Sequence, residues 1–301
     1  MDTLRVAVTG SSGLLGHAVV TALRDDGHQV VRLVRRAPAA GDEITWDPRA
    51  PDGGLSAGEL RGVQAVVHLA GAGIGDHRWT ARYKAEVRDS RVLGTRALVT
   101  ALARMSTPPA VLLSGSAIGW YGDTGGREVT ESSPAGAGFL PGLVKDWEAA
   151  ARAAEQAGTR VVTLRTSPVL SSRGGMLPRL LPLFRLGLGA RLGTGEQVMS
   201  WLALPDYVRI LRFLLAHPEL SGPVNLSAPA PVTNAEFTAT LAAALHRPAL
   251  LTVPTPALRL MLGELSSDLL SSARVVPAKL LSAGYEFAYP SLAEALAAEL
   301  G

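Results

Sequence analysis

The sequence predicts an α/β fold: a Rossmann-type, doubly wound parallel sheet with a smaller, mainly helical C-terminal substrate domain. Three observations predict it. Apolar strand-like runs alternate with helix-like stretches through the first half of the chain. A glycine-spaced turn, Thr9-Gly10-Ser11-Ser12-Gly13-Leu14-Leu15-Gly16, stands between the first run and the first helix. The rhythm breaks after Arg165, where loops and then helices dominate.

Taken in order, Leu4, Val6 and Val8 alternate as in a strand, and Leu14 to Leu23 reads as a helix. Gln29–Val34 is a second strand and Glu43–Trp46 a weaker third. Ala65–Leu69 is nearly continuous in apolar residues, as expected when helices cover both faces of a sheet. A long helix from Ala81 to Arg104 stops before Pro108-Pro109. Ala110–Leu113 is the next strand, and a loop rich in Gly, Ser and Thr runs from Ser114 to Gly138. Helix Phe139–Ala157 and strand Arg160–Leu164 complete the series. Later, Asp206–Ala216 reads as a helix and Val224–Leu226 as a short strand. The expected division is therefore 1–166 with 206–227 for the dinucleotide domain, and 167–205 with 228–301 for the substrate domain.

Composition narrows the function classes. The 301 residues are 47% hydrophobic and 18% charged, an ordinary globular balance. A net charge of +3, with basic residues scattered, does not point to nucleic acid. No apolar stretch is long enough to span a bilayer, and the first residues lack the pattern of a signal peptide. With no cysteine, disulfide, zinc-thiolate and cysteine-nucleophile chemistry are excluded. No metal site is expected. The expected compartment is the cytoplasm and the expected partner a small-molecule substrate or effector, in a monomer or homodimer.

The glycine turn carries the ligand expectation. A helix N-terminus directs free N–H groups and the positive end of its dipole at an anion. Gly10 permits the turn, Gly13 lets the backbone approach a pyrophosphate, and Gly16 lets helix and strand pack closely. Ser11, Ser12, Leu14 and Leu15 complete the expected cradle. A glycine-rich turn without a ligand is the plainer alternative. At the end of the second strand, where an acidic residue would bond a ribose 2′-hydroxyl, the chain reads Val34-Arg35-Arg36. A guanidinium suits a 2′-phosphate, so NADP(H) is preferred, with NAD(H) second. A solvated pair at a strand end explains the same arginines. Asp47 is placed to contact adenine.

Together these segments resemble the extended short-chain dehydrogenase/reductases. The resemblance is carried by Gly10–Gly16, Val67-His68-Leu69-Ala70-Gly71, Leu113-Ser114-Gly115-Ser116-Ala117, Leu164-Arg165-Thr166 and the stretch from Gly193 to Asp206. Gly75-Asp76-His77-Arg78-Trp79-Thr80, Gly119-Trp120-Tyr121-Gly122-Asp123, Trp147-Glu148 and Phe184–Gly189 are similar to an atypical subgroup of NAD-dependent epimerase-type proteins from bacteria and organelles. His246–Ala249 and Val276–Leu280 match that subgroup's extra C-terminal domain. The resemblance adds Leu69, Ala70 and Gly71 to the expected cofactor contacts.

It also exposes a departure. The superfamily's proton chemistry uses a Tyr-x-x-x-Lys pair, in which the lysine lowers the tyrosine pKa. Those positions fall here on Leu140 and Val144. Lys145 is one residue off, about 100° round a helix. Ser116 survives, as a group to bond a substrate or as a small residue ending a strand. Tyr121 is the candidate replacement acid or base, or a loop tyrosine packing on Trp120. Asp76, His77 and Arg78 are candidate substrate contacts, with Lys84 and Arg91 as further cations. Trp201 either lines the cleft or packs in a core. For a nucleotide-sugar substrate the resemblance implies an arginine shortly after the Gly193-Thr194-Gly195 loop; none follows as far as Trp201, which disfavours that class. Two functions follow from the resemblance. One is an oxidoreductase or epimerase on an unknown small substrate. The other is a catalytically silent NADP(H)-binding regulator, since members of the subgroup are linked to cell or organelle division.

Overall fold

The computed structural model describes residues 3–301. Seven strands form the central sheet: β1 (Arg5–Thr9), β2 (Gln29–Val34), β3 (Glu43–Thr45), β4 (Ala65–His68), β5 (Val111–Ala117), β6 (Arg160–Thr166) and β7 (Gly222–Leu226). Their order is β7-β6-β5-β4-β1-β2-β3, and every pairing is parallel. The chain winds one way from β1 to β3 and the other way from β4 to β7. The order thus reverses between β1 and β4, which opens a crevice at their carboxyl ends.

Alternation along the strands builds two cores. Val6, Val8, Val67, Leu113, Val162 and Leu164 face one side with Val19 and Val20 of helix α1 (Leu14–Asp25). Ala7, Val66, Leu112 and Val161 face the other, against Leu98 and Leu102 of helix α2 (Ala81–Ala103). Toward the carboxyl edge this second face turns polar. Ala7 is followed on it by Thr9, Val66 by His68, Leu112 by Ser114 and Ser116, and Val161 by Thr163 and Arg165. Helix α3 (Phe139–Arg152) covers the polar end of that face.

β5 and β6 extend to Ala117 and Thr166, beyond the apolar runs that predicted them. The extra residues include Ser114, Ser116, Arg165 and Thr166, of which Ser116 and Arg165 are buried and hydrogen-bonded to Glu148. The remaining helices are α4 (Leu177–Arg185), α5 (Leu204–Ala216), α6 (Asn234–Ala244), α7 (Thr255–Leu262) and α8 (Leu265–Leu269), followed by Ala278–Ser282 and Leu292–Leu300. Leu170, Leu181, Phe184, Phe237, Leu241 and Leu296 form a separate core there. Asp206 latches the segment before the last helix to α5. Its fully buried carboxylate accepts from the N–H groups of Ala288 (2.8 Å) and Tyr289 (2.9 Å) and from the Tyr285 hydroxyl (3.2 Å).

Candidate functional site

The glycine turn lies beside the β1/β4 reversal. Gly10 has φ +67°, a left-handed conformation that favours glycine. A Cβ there would stand 2.8 Å from the carbonyl of Leu69, so Leu69–Gly71 form the facing wall. A Cβ on Gly16 would lie 2.1 Å from the Gly10 carbonyl oxygen. At Gly13 the nearest atom is that same oxygen, at 3.4 Å, which leaves room for a ligand to approach the backbone. Gly13 caps α1 with its side left open, and Ser12, Gly13, Leu14 and His17 line a cavity of about 420 Å³ with Arg173, Gly174 and Gly175. The donor set and the shape fit a phosphate.

The two arginines after β2 differ. Arg36 is bound to Glu43 by two hydrogen bonds, at 2.6 and 2.8 Å, and this pair holds the Glu43 carboxyl down to about 2. Arg35 is exposed, and its guanidinium has no partner among the described residues. Asp47 is exposed as well, with its carboxylate accepting the Arg49 N–H at 2.9 Å.

Thr9 and His68 organise the crevice. The Thr9 hydroxyl accepts from the N–H groups of Leu69 (3.1 Å) and Ala70 (3.2 Å). Thr95 Oγ1 gives its proton to the Arg91 carbonyl at 2.6 Å, so it accepts from His68 Nε2 and Trp147 Nε1, both at 3.0 Å. His68 therefore carries its hydrogen on Nε2, and Nδ1 accepts from Thr9 Oγ1 at 2.8 Å. Every polar atom of the ring is used and the imidazole is neutral. Complete burial pulls His68 down from 6.5 to about 4. The unfolded chain thus takes up this proton at a higher pH than the folded one. The stabilisation is whole above 6.5 and is lost as the pH falls toward 4. Urea melts at pH 7 and 4.5 are expected to show about 2–3 kcal/mol of this loss, absent from His68→Gln.

Next along the edge, Ser116, Arg165 and Asn225 stand side by side in register on β5, β6 and β7. Glu148 of α3 closes on them. It accepts from Ser116 Oγ at 2.7 Å and from Arg165 Nε and Nη2 at 2.8 and 3.0 Å, with both charged side chains nearly fully buried. Arg165 also lies 3.9 Å from the centre of the Trp120 ring and donates to the Tyr121 hydroxyl at 3.1 Å. Tyr121 is 3% exposed, and its one proton goes to Asn225 Oδ1 at 2.6 Å. Burial raises its pKa. Leu140 and Val144 lie two turns and one turn before Glu148 on the same helix face. A Cβ on Gly119 would meet them at 3.3 and 3.8 Å, so both face the loop after Ser116. Lys145 is exposed on another face.

The other expected contacts are scattered. Asp76, His77 and Arg78 are exposed on the loop after β4. Asp76 pairs with Arg179 at 2.9 Å, His77 meets the edge of the Tyr83 ring, and Arg78 donates to the Leu260 carbonyl at 2.9 Å. Trp201 is 1% exposed in the C-terminal core, and its indole N–H goes to the Ala230 carbonyl at 3.0 Å. Sequence reasoning passed over Glu148 and Arg165 as site residues. The signal was present: Arg165 ends an apolar strand run, and Glu148 repeats the Leu140, Val144 spacing one turn on.

A reversed parallel sheet with a glycine cradle at the reversal defines a Rossmann-type nucleotide-binding protein. The chain belongs to the NAD dependent epimerase/dehydratase family, whose sequence model matches residues 6–227. A model described as a domain of unknown function, DUF1731, matches residues 253–299. An epimerase family protein of Mycobacterium bovis is 49% identical over 292 residues, covering 97% of this chain and 96% of that protein. The crystal structure of the human epimerase family protein SDR39U1 with NADPH superposes with a TM-score of 0.89 at 34% identity, covering 98% of this chain and 99% of that one. A nucleoside-diphosphate sugar epimerase from Corynebacterium glutamicum gives a TM-score of 0.83 at 36% identity, covering 100% of this chain but 59% of that one. Among the described residues no helix is long and apolar enough to cross a membrane.

Proposed function

We propose that this protein binds NADP(H) and uses it in an oxidoreductase or epimerase reaction on a small substrate, without a Tyr-x-x-x-Lys pair. The observation that carries the reading is the cradle between Gly10 and Gly16 with an unpartnered Arg35 at the end of β2. The relative crystallised with NADPH supports the choice of cofactor. Residues 1–166 with 206–227 would bind it, and 167–205 with 228–301 would hold the substrate. The NAD(H) form is the second choice for the same cradle. When bound, the dinucleotide supplies a hydride donor or acceptor.

The chain's own groups then orient the substrate. Ser116 donates its hydrogen bond to Glu148, which also accepts from Arg165. The serine oxygen therefore offers lone pairs, which suit a substrate hydroxyl. Tyr121, with its proton committed to Asn225, acts as a positioning residue for Arg165.

The experiment is a titration of NADPH and NADH against wild type and Arg35→Asp. NADPH affinity is expected to fall by roughly 10–100-fold, the worth of a charge-assisted contact, with NADH within about threefold. Equal losses for both cofactors would remove Arg35 from the 2′-phosphate site. A second reading, a cofactor-binding regulator without turnover, is favoured by one observation: aliphatic Leu140 and Val144 face the loop after Ser116. Steady oxidation of NADPH by any small carbonyl compound would exclude it.

A further inference from the structure

We propose that Arg91 binds an oxyanion of the substrate, so that the substrate class is a small molecule bearing a carboxylate or a phosphate. The inference deepens the proposed function and rests on it.

Three other cations around the loop after β4 and helix α2 already have partners. Arg78 donates to the Leu260 carbonyl at 2.9 Å, Lys84 pairs with Glu264 at 2.8 Å, and Arg179 pairs with Asp76 at 2.9 Å. Arg91 of α2 is different. It is partly buried, and its Nη1 donates to the carbonyls of Ala72 (2.9 Å) and Val87 (3.2 Å). Its guanidinium carbon lies 5.2 Å from the centre of the Trp147 ring. No carboxylate pairs with it among the described residues. Burial pulls it down to about 10, so it stays charged at neutral pH. A desolvated cation without an anion is costly, and the ring and two carbonyls offset only part of that.

The free edge has the right chemistry. Arg91 Nε and Nη2 have no acceptor among the described residues, and neither is sealed from solvent. Those same two nitrogens of Arg165 grip Glu148 through two bonds. A guanidinium edge of this kind takes a carboxylate or phosphate in parallel hydrogen bonds. Its place is also right. A Cβ on Gly71 would fall 3.2 Å from the Arg91 guanidinium carbon, so the charge lies against the loop that walls the β1/β4 crevice. Leu140 and Val144 provide no charge on the α3 side, whereas Arg91 sets one against the loop at Gly71.

The test follows thermal unfolding of wild type, Arg91→Gln and Arg91→Lys, each saturated with NADPH, while malonate or inorganic phosphate is titrated. NADPH affinity is measured separately for each. In wild type at least one of the two anions is expected to raise the melting temperature, and which one responds separates a carboxylate from a phosphate. Arg91→Gln is expected to weaken that anion at least tenfold with NADPH affinity within about threefold, and Arg91→Lys to keep part of the response. If neither anion acts on wild type, or Arg91→Gln responds unchanged, the proposal is overturned. It is equally overturned if NADPH affinity falls tenfold with the anion response. An Arg91-dependent response in wild type that fails to bind NADPH keeps the anion site and overturns the cofactor reading alone.

Discussion

Gly16→Ala is expected to weaken NADPH binding by on the order of 100-fold. The added Cβ would lie 2.1 Å from the Gly10 carbonyl oxygen, far inside van der Waals contact. Both sides of the clash are backbone, so no rotamer change relieves it. Either α1 withdraws from β1 or the turn at Gly10 opens. Gly10 has little room toward β4, since a Cβ built on it would stand 2.8 Å from the Leu69 carbonyl. Forced overpacking of this kind costs about 1–3 kcal/mol of stability. Binding suffers more, since a displacement of about 1 Å in a positioned site is enough for two orders of magnitude. Calorimetric titration with NADPH checks the affinity, and circular dichroism melts check that the fold persists. An affinity within threefold of wild type would mean the turn adapts and the phosphate lies elsewhere.

Replacing Glu148 with Ala is expected to destabilise the protein by about 3–5 kcal/mol, because it strands a buried guanidinium. Arg165 and Glu148 are 2% and 3% exposed, and two hydrogen bonds join them. Without the carboxylate, Arg165 keeps the Tyr121 hydroxyl, the Glu131 carbonyl and the Trp120 ring, none of which carries an opposite charge. Ser116 loses its acceptor too. The corresponding fall in Tm is on the order of 10 °C. The paired change Glu148→Leu with Arg165→Met removes both charges and is expected to be less damaging than Glu148→Ala alone. If the double variant is the less stable one, the pair contributes more than its mutual neutralisation.

The fold was legible where burial is apolar. Gln29–Val34 and Phe139–Ala157 follow directly from hydrophobic period, and the structure places strand and helix there. β5 and β6 were read short because Ser114, Ser116 and Arg165 look like loop residues to a hydropathy rule. Ser116 and Arg165 are buried against Glu148, 32 and 17 residues away in the chain, and no local pattern reports such a partner. The same holds for the arginines after β2. Arg35 and Arg36 are chemically identical in sequence, and only the approach of Glu43 from β3 separates a committed charge from a free one. The glycine spacing, by contrast, is legible because close backbone approach admits one residue type.

One hydroxyl has a wider consequence. Backbone pairing between β1 and β4 ends at Thr9 and His68, where the two chains must part to admit a ligand. Beyond that point Thr9 Oγ1 stands in for a strand carbonyl and takes the next two N–H groups, of Leu69 and Ala70. The fork in the sheet is thus spaced by a side chain, not by the ladder. A serine could hold the same interval, whereas a valine of equal shape would leave two amides competing for whatever enters the gap.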